Sequence, residues 1–279
     1  MSAITLMNVA RAITKLVAAD SLPMLMGSLV VGNLVTRDFE PMLASVGDAI
    51  SLPNGQITLS THVEATFQIP DVTKVLAVPD LMKVYMQPAV AAIAQRIESD
   101  LLALYGGFTM NPTVGTAGTA ITEATIDAAE TALFLAKVPS ADQKFIVVDA
   151  AAYSAWRQIP RFSEFQTAGD AGLRALIDGT VGRVKDFFVF RSQFVQKTGS
   201  NPVTTHNLAF TKNAIGLVVR RLPQPLPGIG TFAEYAELGN FGMCVSMEYQ
   251  PNSLAQQFTV GVLYGCGILQ NIRGVQILT

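Results

Sequence analysis

The sequence predicts an α+β protein, and three observations carry that expectation. A long amphipathic helix follows Pro88, a strand–turn–strand excursion centred on Pro53-Asn54-Gly55 precedes it, and the tail from Phe241 onward reads as strands. The stretch FQIPDVTKVLAVPDLMKVYMQPAVAAIAQRIESDLLALYGG (Phe67–Gly107) is the most informative. Its helix carries Val90, Ile93, Ile97, Leu101 and Leu104 on one stripe and Gln95, Arg96, Ser99 and Asp100 on the other face. No catalytic group is arranged on it, so it reads as a structural spine.

Taken in order, residues 1–46 form an arm rather than a self-contained domain. A helical patch over Leu6–Ala19 has Ile4, Met7 and Val9 on one side and Ile13, Leu16 and Val17 further along, and Ala19-Asp20-Ser21-Leu22-Pro23 breaks it. VGDAISLP, the Pro-Asn-Gly turn and QITLSTHVEATFQI then make a β-hairpin, with Ile57, Leu59, Thr61, Val63, Ala65 and Phe67 on one face. Such a hairpin is too narrow to hold a core and needs a partner surface.

After the spine and a Thr/Gly-rich loop, Ile126, Ala129, Ala132, Leu133 and Ala136 outline a helix capped by Thr122 and ended at Val138-Pro139. Lys144–Val148 is a short buried strand, and Asp149 caps a helix carrying Ala152, Tyr153 and Trp156. Beyond them lie a loop over Ile159–Ala168, a short helix over Gly172–Ile177, a strand at Asp186–Arg191 and a polar, exposed segment Ser192–Thr205. Leu208–Leu222 reads as a short helix around Thr211–Ile215 and a strand through Val218, and Pro223–Gly230 as a loop. Phe241–Tyr249 and Gln257–Tyr264 flank a Gln-Pro-Asn-Ser turn as an antiparallel ribbon.

Composition narrows the function. Apolar residues are 50% of the chain and charged residues 14%, well below the usual quarter; mean hydropathy is +0.37. Membrane insertion fits poorly, because the uncharged run Leu101–Thr122 contains loop chemistry and Ser21–Thr36 is broken by Pro23, Gly27 and Gly32. No secretory signal is recognisable near Arg11 and Lys15. The expectation is a soluble chain that hides apolar surface in an assembly. With a net charge of −2 and no basic run, sequence-specific nucleic-acid binding is not expected; Arg183, Lys185, Arg191 and Arg220–Arg221 read as ordinary paired or solvated charges. Cys244 and Cys266 match neither a redox nor a zinc spacing and read as small reduced thiols, a disulfide requiring neighbouring strands.

The search for reactive groups returns no catalytic, cofactor-binding or metal-binding residues, and no cofactor. His62 and His206 read as surface histidines away from any nucleophile. Glu98 and Asp100 point to different helix faces, while Arg96 and Asp100 form an i,i+4 pair. The glycines at 179–182 and 228–230 lack the rest of a phosphate or dinucleotide fingerprint.

Four blocks then carry a resemblance: PDLMKVYMQPAVAAIAQRIESDLLALYGG (Pro79–Gly107), GLRALIDGTVGRVKDFFVFRS (Gly172–Ser192), NLAFTKNAIGLVVRRLP (Asn207–Pro223) and TVGVLYGCGILQNIRGVQIL (Thr259–Leu278). With the order of elements, the chain resembles the tailed-phage major capsid proteins of the HK97 fold, most closely the P22 coat-protein family without its inserted domain. The resemblance implies an N-terminal arm (1–46), an E-loop (47–75), a peripheral domain with the spine helix (76–157 and 231–268) and an axial domain (158–230 and 269–279). Loops at 161–170 and 192–206 would face the local symmetry axis of a capsomer. The implied function is a structural, non-enzymatic subunit that assembles into hexamers and pentamers of an icosahedral phage head around double-stranded DNA. Implied partners are further copies of the chain, a scaffolding protein, a portal and a cement protein, with non-specific proximity to DNA and no membrane. The implied location is the virion capsid, assembled in the host bacterial cytoplasm. No Lys–Asn–Glu set is placed for covalent crosslinking. Two other readings stand beside it: an encapsulin-like compartment shell of the same fold, and a soluble α+β enzyme with a discrete pocket.

Overall fold

The structure is a computed structural model and describes residues 6–39, 47–52, 55–70, 82–159, 183–200, 202–220, 232–238 and 241–279. Its first element, α1 (Leu6–Ser28), corrects the expected break at Pro23: the helix runs through the proline. The apolar residues around it decide the matter. Leu22, Leu25 and Leu29 are buried, and their burial outweighs the lost backbone bond. Ser21 Oγ donates to the Ala18 carbonyl inside this turn, at 3.1 Å. A 3₁₀ turn, Val31–Asn33, ends the segment.

The hairpin forms as expected, with β1 (Ala49–Leu52) against β2 (Gly55–Thr58), and β3 (Thr61–Pro70) continues the chain. Its turn residues 53–54 lie outside the described set. The odd-numbered residues from Ile57 to Phe67 face inward, as the alternation predicts, and Ile69 extends the pattern. A one-turn π-helix (Met82–Met86) leads into the spine, α2 (Gln87–Ala103), whose Pro88 falls in the first turn where a missing N–H costs nothing.

Next come β4 (Val114–Gly115), α3 (Glu123–Leu135), β5 (Lys144–Val148) and α4 (Ala150–Arg157). Thr122 caps α3 in a reciprocal box with Thr125, and Asp149 caps α4. Residues 160–182, including the expected loop and short helix there, lie outside the described set, as do 221–231. The chain resumes with β6 (Arg183–Val184), β7 (Phe187–Arg191), β8 (Lys197–Thr198), β9 (Thr204–Thr211) and β10 (Ile215–Arg220). The helix expected around Thr211–Ile215 is only a 3₁₀ turn, Lys212–Ala214, joining β9 to β10. The tail supplies β11 (Phe232–Leu238), β12 (Phe241–Gln250), β13 (Ala255–Ile268) and β14 (Gly274–Leu278).

These strands build two main sheets. In the first the order is β10–β13–β12–β11, with β3 also paired to β13 along its full length, all antiparallel. The second runs β4–β14–β9–β5–β7–β6, with β5–β7 and β4–β14 parallel and β8 paired to β9. A core of Leu25, Leu29, Val90, Ile93, Ile97, Val245, Val260 and Val262 joins α1 and α2 to the first sheet. It continues into Phe145, Val147, Leu208 and Phe210 of the second sheet. The opposite face of that sheet, with Ile146, Val148 and Ala209, packs under α3 and α4 around Trp156. Both faces of β5 are therefore covered, which is why its sequence KFIVV is a continuous apolar run.

The hairpin and the arm both need a surface to lie on, and both find it within their own chain. Ile57 and Leu59 bury against Val218, Leu263 and Leu269. A Cβ placed on Gly265 or Gly267 would collide with the carbonyls of Thr58 or Gln56, and one on Gly55 with the carbonyl of Ile268. Backbone thus lies directly on backbone, with no room for side chains between. Thr36 closes the arm onto β10 through a parallel bridge to Gly216, with Leu217 N–H donating to its carbonyl at 3.0 Å.

Candidate assembly surfaces and the joints of the spine

The spine helix is fastened at three places. On the sheet side, Tyr264 of β13 donates to Asp100 Oδ2 at 2.5 Å, and Arg96 pairs with the same oxygen at 3.2 Å as the i,i+4 spacing predicts. Burial and the adjacent carboxylate push the Tyr264 hydroxyl well above its usual range, and burial pushes the Cys266 thiol up to about 11. Cys244 and Cys266 do lie on neighbouring strands, but Cys244 stands opposite Gly261 and Cys266 opposite Leu217. That offset of five residues along β13 spans roughly 17 Å, too far for a disulfide.

On the arm side stands Glu98, whose place in the row Val90–Ala94–Glu98–Leu102 is otherwise apolar and buried. The carboxyl is 2% exposed. Gly32 N–H donates to its Oε1 at 3.1 Å, and the amides of Val31 and Val30 also point toward it. It thus caps the 3₁₀ turn of the arm from another helix. Among the described residues Oε2 has no hydrogen-bond partner, and burial raises the pKa of the group.

The far end of the spine meets the second sheet through His206, and here the expectation of a surface histidine is corrected. His206 lies on β9, 8% exposed. Its ring stacks on Tyr105 with centroids 4.1 Å apart, Nε2 meets Thr198 Oγ1 at 2.6 Å, and Nδ1 meets the Gln276 amide. Burial lowers its pKa. His62 is exposed on β3. Of the segment expected to be polar and exposed, Lys197–Ser200 is, while Ser192, Val195 and Thr205 are buried.

The basic groups near β6–β7 are paired as expected. Lys185 bonds Asp127, Arg183 lies 3.6 Å from Asp186, and Arg191 sits over the Tyr153 ring at 4.8 Å. Among the described residues no three His, Cys, Asp or Glu side chains are grouped to hold a metal, and no helix is long and apolar enough to cross a membrane.

What the outer surface offers is apolar. Besides its buried face of Ile126, Ala129, Ala132 and Leu133, α3 presents Ala124, Ala128 and Thr131 outward, with Asp127 as the charge among them, and ends in Phe134 and Leu135. These last two are both 73% exposed. Large apolar side chains left in solvent together mark a contact surface. Met110, Val84 and Leu254 are further large exposed side chains, and the sequence pattern did not single out any of the five. A count of outward positions on α3 against its known inward face would have found Phe134 and Leu135.

The arrangement is the HK97-like fold, which solved phage capsids share. The chain is similar to that of Mycobacterium phage Che8 (TM-score 0.62, 18% identity, covering 89% of this chain and 90% of that one). It is also similar to the capsid of Ralstonia phage GP4 (TM-score 0.56, 10% identity, 80% and 74%) and to a virus-like particle from Pyrococcus furiosus (TM-score 0.54, 10% identity, 95% and 98%). No match is found among curated proteins. The phage capsid protein family matches residues 66–271, and the chain belongs to it. Its role is accordingly structural, as a subunit of a multimeric capsid in the virion.

Proposed function

We propose that the chain is a major capsid subunit whose copies form the hexamers and pentamers of an icosahedral head around double-stranded DNA. Assembly takes place in the host bacterial cytoplasm with a scaffolding protein, a portal and a cement protein. The observation that carries this reading is the contrast between closed interior cores and the large apolar side chains left outside, Phe134 and Leu135 above all. In a shell, neighbouring copies cover them, and many small repeated contacts close the particle by symmetry.

The domain division of this reading keeps an arm, an E-loop hairpin, and peripheral and axial parts. The pairing of strands favours drawing the last boundary along the two sheets. The peripheral part then holds α2 and β10–β13, with α1 of the arm and β3 of the E-loop laid against it, and the axial part holds β4–β9, α3, α4 and β14. This moves 114–157 from the peripheral to the axial part and 215–220 the other way.

Electron microscopy and sedimentation of the full-length chain, expressed alone and with the scaffolding protein, test the proposal. Closed particles of uniform size that take up DNA in the phage are expected. A monomer or dimer at every concentration contradicts the reading, and shells that hold protein cargo and never nucleic acid move it to the compartment alternative.

A further inference from the structure

Glu98 is a place where the spine breaks its own pattern. Val90, Ala94 and Leu102 share its row and are buried apolar side chains; Glu98 is just as buried and carries a carboxyl group. Gly32 N–H donates to Oε1 and the amides of Val31 and Val30 point toward the group, while Oε2 has no hydrogen-bond partner among the described residues. An ionised carboxylate in such a place loses more hydration than these backbone amides return, whereas the neutral acid keeps the Gly32 bond at lower cost.

Among the described residues no opposite charge pairs with it. On the spine itself, Arg96 and Asp100 bond each other and Tyr264. On the elements packed against it, Lys15 and Asp20 of α1 and His62 and Glu64 of β3 are exposed. On β13, Tyr264 and Cys266 interact with Asp100. Arg37, just past the 3₁₀ turn, donates to the Gly32 carbonyl at 2.8 Å and to Asn33 Oδ1 at 2.9 Å. It braces the carbonyl of the same residue whose N–H bonds Glu98.

We propose that Glu98 is a proton-operated latch between the arm and the spine: the neutral carboxyl holds the Val31–Asn33 turn on α2, and ionisation loosens the arm from it. The raised pKa fixes the sign. Below about pH 4.5, the ordinary glutamate value, the group is neutral whether the arm is docked or free, and the latch is fully closed. As pH rises from there through the docked-state pKa, docking weakens, and above it the loss is complete and constant. The inference stands on the geometry of the chain alone and does not depend on the shell function.

Hydrogen exchange of the full-length wild type and of Glu98→Gln, compared at each pH, tests it. Glutamine keeps the acceptor for Gly32 N–H and cannot ionise, and the ratio of the two cancels the intrinsic pH dependence of exchange. Peptides covering residues 17–33 are expected to exchange at similar rates in both proteins near pH 4.5. Wild type should then become faster with rising pH, by about tenfold for each pH unit by which docking raises the carboxyl. Peptides of β12 and β13 should show no such divergence. Should the variant not fold, the infrared band of a protonated carboxyl in wild type is followed instead, and it should vanish over the pH range in which arm exchange accelerates. A ratio that stays flat with pH, or a band that titrates without any change in arm exchange, overturns the latch.

Discussion

Two of the buried ionisable groups at the joints of the spine, Glu98 and His206, are built in opposite ways. At the arm joint, Glu98 has one oxygen bonded and one without a partner among the described residues, and burial shifts it toward its neutral form by raising its pKa. At the joint with the second sheet, both ring nitrogens of His206 have partners, one face of its ring stacks on Tyr105, and burial favours neutrality by lowering its pKa. Both groups prefer to be neutral, but a carboxyl is neutral in acid and an imidazole in base. Alkali therefore strains the arm joint and acid strains the joint with the second sheet. A fully satisfied polar group makes a rigid joint; a half-satisfied one makes a joint that can open.

The most disruptive test removes the frame both joints share. Ile97 is fully buried one residue before Glu98. Ile97→Asp should cost on the order of 4 kcal/mol or more and prevent folding, read as loss of the cooperative thermal transition. A well-folded Ile97→Asp would mean that the spine is not the core element on which the comparison rests.

Gly267→Val comes next, at about 2–3 kcal/mol, because its side chain would enter the space of the Gln56 carbonyl under the hairpin. Its effect should be confined to the hairpin: faster proteolysis around residues 49–59, with the pH behaviour of both joints unchanged. Tyr264→Phe removes the bond to Asp100 between the joints and should cost about 1.5 kcal/mol in denaturant unfolding.

A smaller effect sharpens the His206 side. With its folded-state pKa below 6.5, His206 contributes its full stability above pH 6.5. That contribution falls as pH drops below 6.5 and stops falling once the folded-state pKa is passed. The slope of stability against pH in this window should disappear in His206→Phe, measured by urea unfolding at several pH values. Arg96→Ala lies last: its guanidinium is on the surface, and no resolvable shift of the thermal midpoint is expected.

Local chemistry was legible in the sequence, and distant packing was not. The Thr122 and Asp149 caps, the strand Lys144–Val148 and the inward alternation from Ile57 to Phe67 follow from residues within a few positions of one another. Pro23 misled because helix propensity is a local quantity, while Leu25 and Leu29 are held by α2 and the first sheet. His206 reads as a surface residue from its polar neighbours and is buried by Tyr105, about a hundred positions away. Glu98 broke an apolar row in plain view, but only the arm folding back on the spine reveals what it bonds. The hairpin's need for a surface was legible; that its own β13 supplies one depends on Gly265 and Gly267 lying beneath it.

The central claim is that the subunit closes its cores within one chain and assembles through apolar faces left outside. Its most direct test is the double variant Phe134→Asp/Leu135→Asp, followed by sedimentation velocity where wild type forms shells and by thermal unfolding. Both side chains point to solvent in the subunit, so the unfolding midpoint should stay at the wild-type value while the shell boundary disappears. Shells of wild-type size and yield from this variant would contradict the claim.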